Sequence, residues 1–188
     1  MSDGPSILLE SARTYLARGY AVIPVPARKK IPVLKGWTDL RLSEHDLPAH
    51  FGGAGNIGVL LGEPSGWLVD VDLDCDEAVA LAPKFLPPTG ATSGRPSKPA
   101  SHWWYVCEGM KTRKHQDPLS KKMIVELRST GAQTVVGPSI HPSGEPYDPL
   151  DGEPAVVDAA ELATAVTALA DAVTEARHGR KQAVVPVQ

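Results

Sequence analysis

The chain has 188 residues, 42% of them hydrophobic, and a formal net charge of −3. That length fits one domain with a proper core. No run of about 18 apolar residues is present to span a membrane, and the slightly acidic balance argues against a protein coated in nucleic acid.

Ile7, Leu8, Ala12, Tyr15 and Leu16 recur at helical spacing and predict a helix over 5–18, ended by Gly19. This start has neither a basic segment nor a long apolar stretch, so it does not read as a secretion signal. YAVIPV (20–25) reads as a strand and PARKKIPVLKGW (26–37) as a basic loop. SEHDLPAHF (43–51) reads as a short helix capped by Ser43, and NIGVLLG (56–62) as a buried strand. An aspartate-rich strand follows at 65–77, then a helix at 76–86. PPTGATSGRPSKPAS (87–101) is too rich in Pro, Gly and Ser to pack and predicts a loop. HWWYVC (102–107) reads as a strand, with Trp103, Trp104 and Tyr105 as core plus one exposed ring, and KTRKHQDPLSKK (111–122) as a polar loop or irregular excursion. MIVELRS (123–129) and QTVVGPS (133–139) read as a hairpin joined by a Thr-Gly turn. A Pro/Gly loop, an Ala-rich helix near 158–177 and a flexible tail over 179–188 complete the chain. The pattern predicts an α+β domain over 1–155, with a mostly antiparallel sheet carrying helices on one face. A C-terminal helix, 156–178, packs on that domain or follows it.

Cys75 and Cys107 form no CxxC pair, and no histidine stands near them at finger spacing. Neither structural zinc nor a disulfide framework is expected, and a reducing cytoplasm fits.

In SGWLVDVDLDCDE (65–77), Val69, Val71 and Leu73 alternate with Asp70, Asp72 and Asp74. Strand geometry puts the carboxylates on one face. Adjacent like charges call for a cation, and a divalent metal held by oxygen ligands supplies one. Aspartate is also common at strand ends and helix caps, so a solvated strand end is the alternative. Glu126, set between Val125 and Leu127, is a candidate third carboxylate from a neighbouring strand, or a solvent-facing strand residue. Between Thr92 and Arg128 eight Lys and Arg residues face only three acids, Glu108, Asp117 and Glu126. A basic stretch beside an acidic strand suits a metal site that handles polyanions. Arg95, Ser101 and His102 in SGRPSKPASHWWY offer a guanidinium, a hydroxyl and an imidazole for phosphate. Arg128, on the face of Glu126, and Ser139 and His141, beyond the next strand, are further phosphate or nucleotide ligands. Ser139 and His141 equally suit a fixed proline-rich turn.

Three segments in this order, NIGVLLGEPSGWLVDVDLD, SGRPSKPASHWWY and VELRSTGAQTVVGPSIHPSGEPY, resemble the primase–polymerase (prim-pol) domain of the archaeo-eukaryotic primase superfamily. That domain is typical of phage and plasmid replication proteins. The opening AxxYxxxGxxxIPVxxxxKxPxxxxW, from Ala12 to Trp37, is similar too, and the likeness spans roughly 5–150. The resemblance implies an RRM-like catalytic sheet with an accessory N-terminal αβ unit. It implies template-directed nucleotidyl transfer with two Mg²⁺ or Mn²⁺ ions, NTP or dNTP as substrate and single-stranded DNA as template. It places the acidic motif on Asp70 and Asp72, with Asp72 and Asp74 as the alternative register, the Ser-x-His-type motif on Ser101 and His102, and the third motif on Glu126, where Asp is commoner. Asp70, Asp72, Glu126 and His102 are the expected catalytic set, and the basic loops at 26–36 and 111–122 would contact template backbone. No GxxxxGK[ST] loop occurs, so a replicative helicase would be a separate partner or part of a longer chain. The alternative is a nucleic-acid-binding replication module whose catalytic site has degenerated. A histidine-dependent nickase lacks its His-x-His pair.

Overall fold

A computed structural model describes residues 6–179. Helix α1 (Ile7–Ala17) starts at Ser6, whose hydroxyl accepts from Leu9 N and donates to the Phe51 carbonyl. Then come β1 (Val22–Val25), α2 (Leu47–Phe51), β2 (Asn56–Leu60), β3 (Leu68–Leu73) and α3 (Asp76–Phe85). Strands β4 (Thr92–Arg95), β5 (Lys98–Val106), β6 (Arg113–Gln116), β7 (Met123–Arg128) and β8 (Gln133–Val136) follow. The short β9 (Ala155–Val156) leads into α4 (Ala159–His178).

The strands form two sheets of an α+β fold. The larger has the order β4-β5-β3-β7-β6, with β9 added parallel to β5; the smaller has the order β1-β2-β8. All other pairings are antiparallel. One face of the larger sheet presents Val69, Val71, Leu73, Tyr105, Val125 and Leu127. These pack on α3 and on Leu162, Val166, Leu169 and Val173 of α4. The opposite face meets the smaller sheet, and Leu68 and Trp104 join Ile57, Val59, Val136 and residues of α1 and α2 in a second core. Burying these side chains stabilises both interfaces by roughly 1.5–3 kcal/mol per large apolar residue.

Two clamps fix the layers. Tyr15 donates to the Gly137 carbonyl at 2.7 Å and accepts from Leu150 N at 3.1 Å, tying α1 to the 137–150 segment. At the other end, Arg177 of α4 pairs with both carboxylate oxygens of Glu77 at 2.9 Å and with buried Asp117 at 3.2 Å.

Four expectations are corrected here. The segment 87–101 is not a loop: β4 and the start of β5 form a hairpin there. Gly94 makes it possible, because a Cβ at that position would collide with the Lys98 carbonyl. The segment 111–122 is not wholly loop: Arg113–Gln116 is a strand on the sheet edge. Side chains there are largely solvated, so hydrophobic alternation has nothing to mark, and the backbone ladder to β7 carries the strand. Strands β7 and β8 are not a hairpin. Both edges of β7 are taken, by β3 and β6, so β8 crosses to the other sheet and pairs with β2. Ser43 does not cap α2: its N–H and hydroxyl donate to the Asp46 carboxylate at 2.8 and 2.6 Å, and the helix begins one residue after Asp46. The 179–188 tail lies outside the described residues, apart from Gly179. No helix among the described residues is long and apolar enough to cross a membrane.

Candidate active site

Strand β3 is central in the larger sheet, so each of its residues has a neighbour on both sides. Asp72 lies opposite His102 of β5 on one flank and Glu126 of β7 on the other. Ser93 of β4 lies opposite His102, and Lys114 of β6 opposite Glu126. One transverse row therefore reads Ser93, His102, Asp72, Glu126, Lys114. The next row brings Trp104 and Arg128 to either side of Asp70. Opposed residues of antiparallel strands project to the same face. Residues separated by dozens of positions in sequence thus converge on the face turned toward the smaller sheet.

Depth changes along that face. Leu68 sits in the core and Asp70 is fully buried at its edge. The Asp72 side chain keeps 15% exposure, and Asp74, just past the strand end, is exposed. A cleft of about 290 Å³ opens between the sheets, lined by Asp72, Asp74, His102 and Arg128 on one side and by Gln133, Thr134 and Tyr147 on the other. Lys30, Arg95, Lys98 and Ser101 also line it.

Asp70 is fully engaged. Its oxygens stand 3.0 and 3.1 Å from His102 Nδ1, and one accepts from the Thr134 hydroxyl at 2.7 Å. That hydroxyl in turn accepts from Arg128 at 3.1 Å. Burial pulls the His102 pKa down, but the Asp70 and Asp72 carboxylates outweigh it, so the imidazole's proton affinity is raised above its ordinary value. With Nδ1 turned to Asp70, Nε2 is the nitrogen left for the cleft. Arg128 also donates to Glu126 at 3.2 Å and stands 3.5 Å from Asp72, while Lys114 reaches the other Glu126 oxygen at 3.3 Å. Cationic side chains thus neutralise the carboxylate row.

Basic side chains also border the cleft. Arg95 is held by Glu145 at 3.1 Å, and Glu145 also accepts from Ser97 N at 2.7 Å and from the Ser97 and Ser143 hydroxyls. These bonds, led by that from the Ser97 hydroxyl, hold the Glu145 carboxyl below its usual range. Partial desolvation lowers the Lys30 pKa, and Arg95, Arg128 and Lys98 lower it further, against a pull upward from Asp72. Burial pushes the Tyr147 phenol up to about 12.

The structure brings Asp72, His102, Arg128, Arg95 and Ser101 to one cleft, with Glu126 beside Asp72 on the neighbouring strand. It turns Asp70 inward. Asp74 reaches the cleft from beyond the strand, where partial desolvation and the neighbouring Asp72 raise its pKa. Ser139 is committed to the fold, its hydroxyl accepting from Ile57 N at 2.8 Å. His141 is not among the cleft-lining residues and stands edge-on to Tyr147, with ring centroids 5.6 Å apart. Trp104 and Tyr105 are buried and Trp103 is half-buried, so the aromatic run is core rather than a stacking platform. Among the described residues, no three His, Cys, Asp or Glu side chains are grouped so as to hold a metal. Sequence reading did not single out Thr134, Glu145, Gln133 or Tyr147. Thr134 carried a faint signal, as a polar residue in the run Thr-Val-Val.

Among curated proteins, no sequence matches this chain. The Prim-Pol family profile, "Bifunctional DNA primase/polymerase, N-terminal", matches residues 12–167, which include every residue of the cleft. The chain belongs to the Prim-Pol family of bifunctional DNA primase/polymerase N-terminal domains.

Proposed function

We propose that the chain is a template-directed nucleotidyltransferase that makes or extends primers on single-stranded DNA. The observation that carries the reading is the row His102–Asp72–Glu126, set across three strands, with Lys30, Arg95 and Lys98 lining the same cleft. Carboxylates on one side and four cations, Arg128 included, around the same cleft suit a nucleoside triphosphate bound with a hard metal ion.

The donor set fits such an ion. Asp72 and Glu126 are adjacent oxygen donors on one face, and Mg²⁺ is commonly held by one or two carboxylates completed by water and substrate phosphates. Asp72 and Glu126 would hold Mg²⁺ or Mn²⁺, with Arg128 and Lys114 giving way. Asp70 joins them only if it leaves His102 and Thr134, and Asp74 stands at the cleft mouth. When bound, divalent cations supply neutralisation of the phosphates and acidify the attacking hydroxyl.

The chain's own groups do the rest. His102 is fixed by Asp70 and offers Nε2–H to a phosphate oxygen, and Arg95, Lys98 and Lys30 share the triphosphate charge. A primer 3′-hydroxyl attacks the α-phosphorus and gives up its proton to solvent, the bond to the α–β bridging oxygen breaks, and pyrophosphate leaves past Lys30, Arg95 and Lys98.

The test is labelled-nucleotide incorporation on primed single-stranded DNA with Mn²⁺ or Mg²⁺, comparing wild type with Asp72→Asn and Glu126→Gln. Both variants are expected to fold, and each should lose incorporation by at least about 100-fold. Wild-type-like incorporation by either would sink the assignment. Retained DNA binding by a wild type that never incorporates nucleotide would favour a degenerate binding module.

A further inference from the structure

The loop between β1 and α2 has an unusual surface. Arg28, Lys29, Lys30 and Lys35 place four cations within eight residues, and no acid occurs from 26 to 36. Between them Ile31 and Val33 are 74% and 76% exposed and Leu34 is 41% exposed, while Pro32 is buried. Half of the large hydrophobic residues exposed among the described residues lie in these four positions. Single exposed apolar residues need no explanation, but a cluster with a cationic border marks a contact surface.

The loop is held in place. Buried Asn56 donates to the Lys29 carbonyl at 3.0 Å and to the Ile140 carbonyl at 2.9 Å, and accepts from Ile140 N. Gln133 donates to the Lys30 carbonyl at 2.7 Å, and Arg28 reaches the Pro142 carbonyl. Gln133 lies over Gly58 of β2, where a Cβ would come within 2.6 Å of its side-chain oxygen. The backbone is thus pinned so that Lys30 enters the cleft while Ile31, Val33 and Leu34 face solvent beside it.

We infer that this loop is a platform for single-stranded nucleic acid: Ile31, Val33 and Leu34 take the faces of unpaired bases next to the cleft, and Arg28, Lys29 and Lys35 take the phosphates. The inference rests on the nucleotidyltransferase reading and goes beyond phosphate contact, assigning base contact to three aliphatic side chains. Charge selects this occupant over a protein surface, because a polyanion complements an acid-free border. Aliphatic contact with base faces is independent of base identity, as a template surface requires.

The two kinds of contact separate by salt. Affinity for single strands falls with salt at a slope of about 0.7 per phosphate neutralised, whereas apolar contact adds no slope. Fluorescence anisotropy with a labelled oligothymidylate, across a salt series, is run on the full chain. Ile31→Ser/Val33→Ser/Leu34→Ser is expected to bind several-fold more weakly at every salt with an unchanged slope. Lys29→Gln/Lys35→Gln should lower the slope by about 1.4, two contacts at about 0.7 each. Wild-type affinity of the triple variant, or an unchanged slope in the double, overturns the inference. So does a wild-type dimer that the triple variant dissociates, since a second copy would then be the occupant. If wild type incorporates nucleotide and the loop variants bind as it does, this inference alone fails. If wild type binds no oligonucleotide, the template reading fails with it.

Discussion

Thr134→Val tests the buried network beneath the carboxylate row. The hydroxyl donates to Asp70 at 2.7 Å and accepts from Arg128 at 3.1 Å, and both Asp70 and Thr134 are buried. Valine keeps the shape and removes the donor. A hydrogen bond to a charged group is worth about 1.5–3 kcal/mol, and leaving its partner unmet in the interior adds to the loss. The Arg128 guanidinium, 3.9 Å from the same Asp70 oxygen, recovers part of it. A net loss of about 2 kcal/mol follows, and for a domain of this size that lowers Tm by roughly 4–8 °C. Calorimetry or urea titration reads it directly, and Thr134→Ser, which keeps the hydroxyl, is the control. The same variant loosens Asp70 and hence His102, so affinity for triphosphate should fall along with Tm. A Thr134→Val midpoint equal to wild type would refute the reasoning. An equal fall in the serine variant would also refute it, since the lost methyl would then be the cause.

Other outcomes follow from neighbouring contacts. Glu145→Gln weakens the holds on Arg95 and Ser97, and steady-state kinetics should show KM for the nucleotide rising several-fold with a smaller change in kcat. Gly58→Ala should displace Gln133 from the Lys30 carbonyl and weaken oligonucleotide binding, and an unaltered affinity would remove the role given to that pin. Chelation of divalent ions should abolish incorporation while leaving Tm nearly unchanged, because the row is already neutralised by Arg128 and Lys114. At the α4 clamp, Arg177 brings the Glu77 carboxyl down to about 2. Asp117 is lowered too, by Ser120 N–H, His178, Leu119 N–H and Arg177. A carboxylate whose folded pKa is depressed contributes stability above its unfolded value and loses it as pH falls through the folded one. Stability should therefore decline between about pH 4.5 and pH 2, more steeply in wild type than in Asp117→Asn. Tm measured across that range checks it, and parallel curves would contradict the clamp.

Much was legible in the chain order. Helices α1, α3 and α4 each carry an apolar period that local geometry converts into one buried face, and strand β3 shows its apolar alternation although both its faces are largely buried. The Asp-x-Asp alternation, His102 after the small and basic run, and Glu126 in an apolar strand all stand at the cleft region or one row beneath it. The failures among the strands have a common cause. Strand β6, the β4–β5 hairpin and the partner of β8 are decided by which backbone edges are free, and edges have no side-chain signature.

The sequence by itself therefore determined the helices with an apolar period, the acidic strand and the family to which the residues belong. The tertiary structure alone decided how the aspartates divide their work. Asp70 and Asp72 differ by two positions on one strand face, but the smaller sheet covers the first and leaves the second open. The covered carboxylate must find donors and takes His102 and Thr134, while the open one remains for the cleft. That difference comes from the depth at which two sheets meet, and depth is set by contacts between residues far apart in the chain.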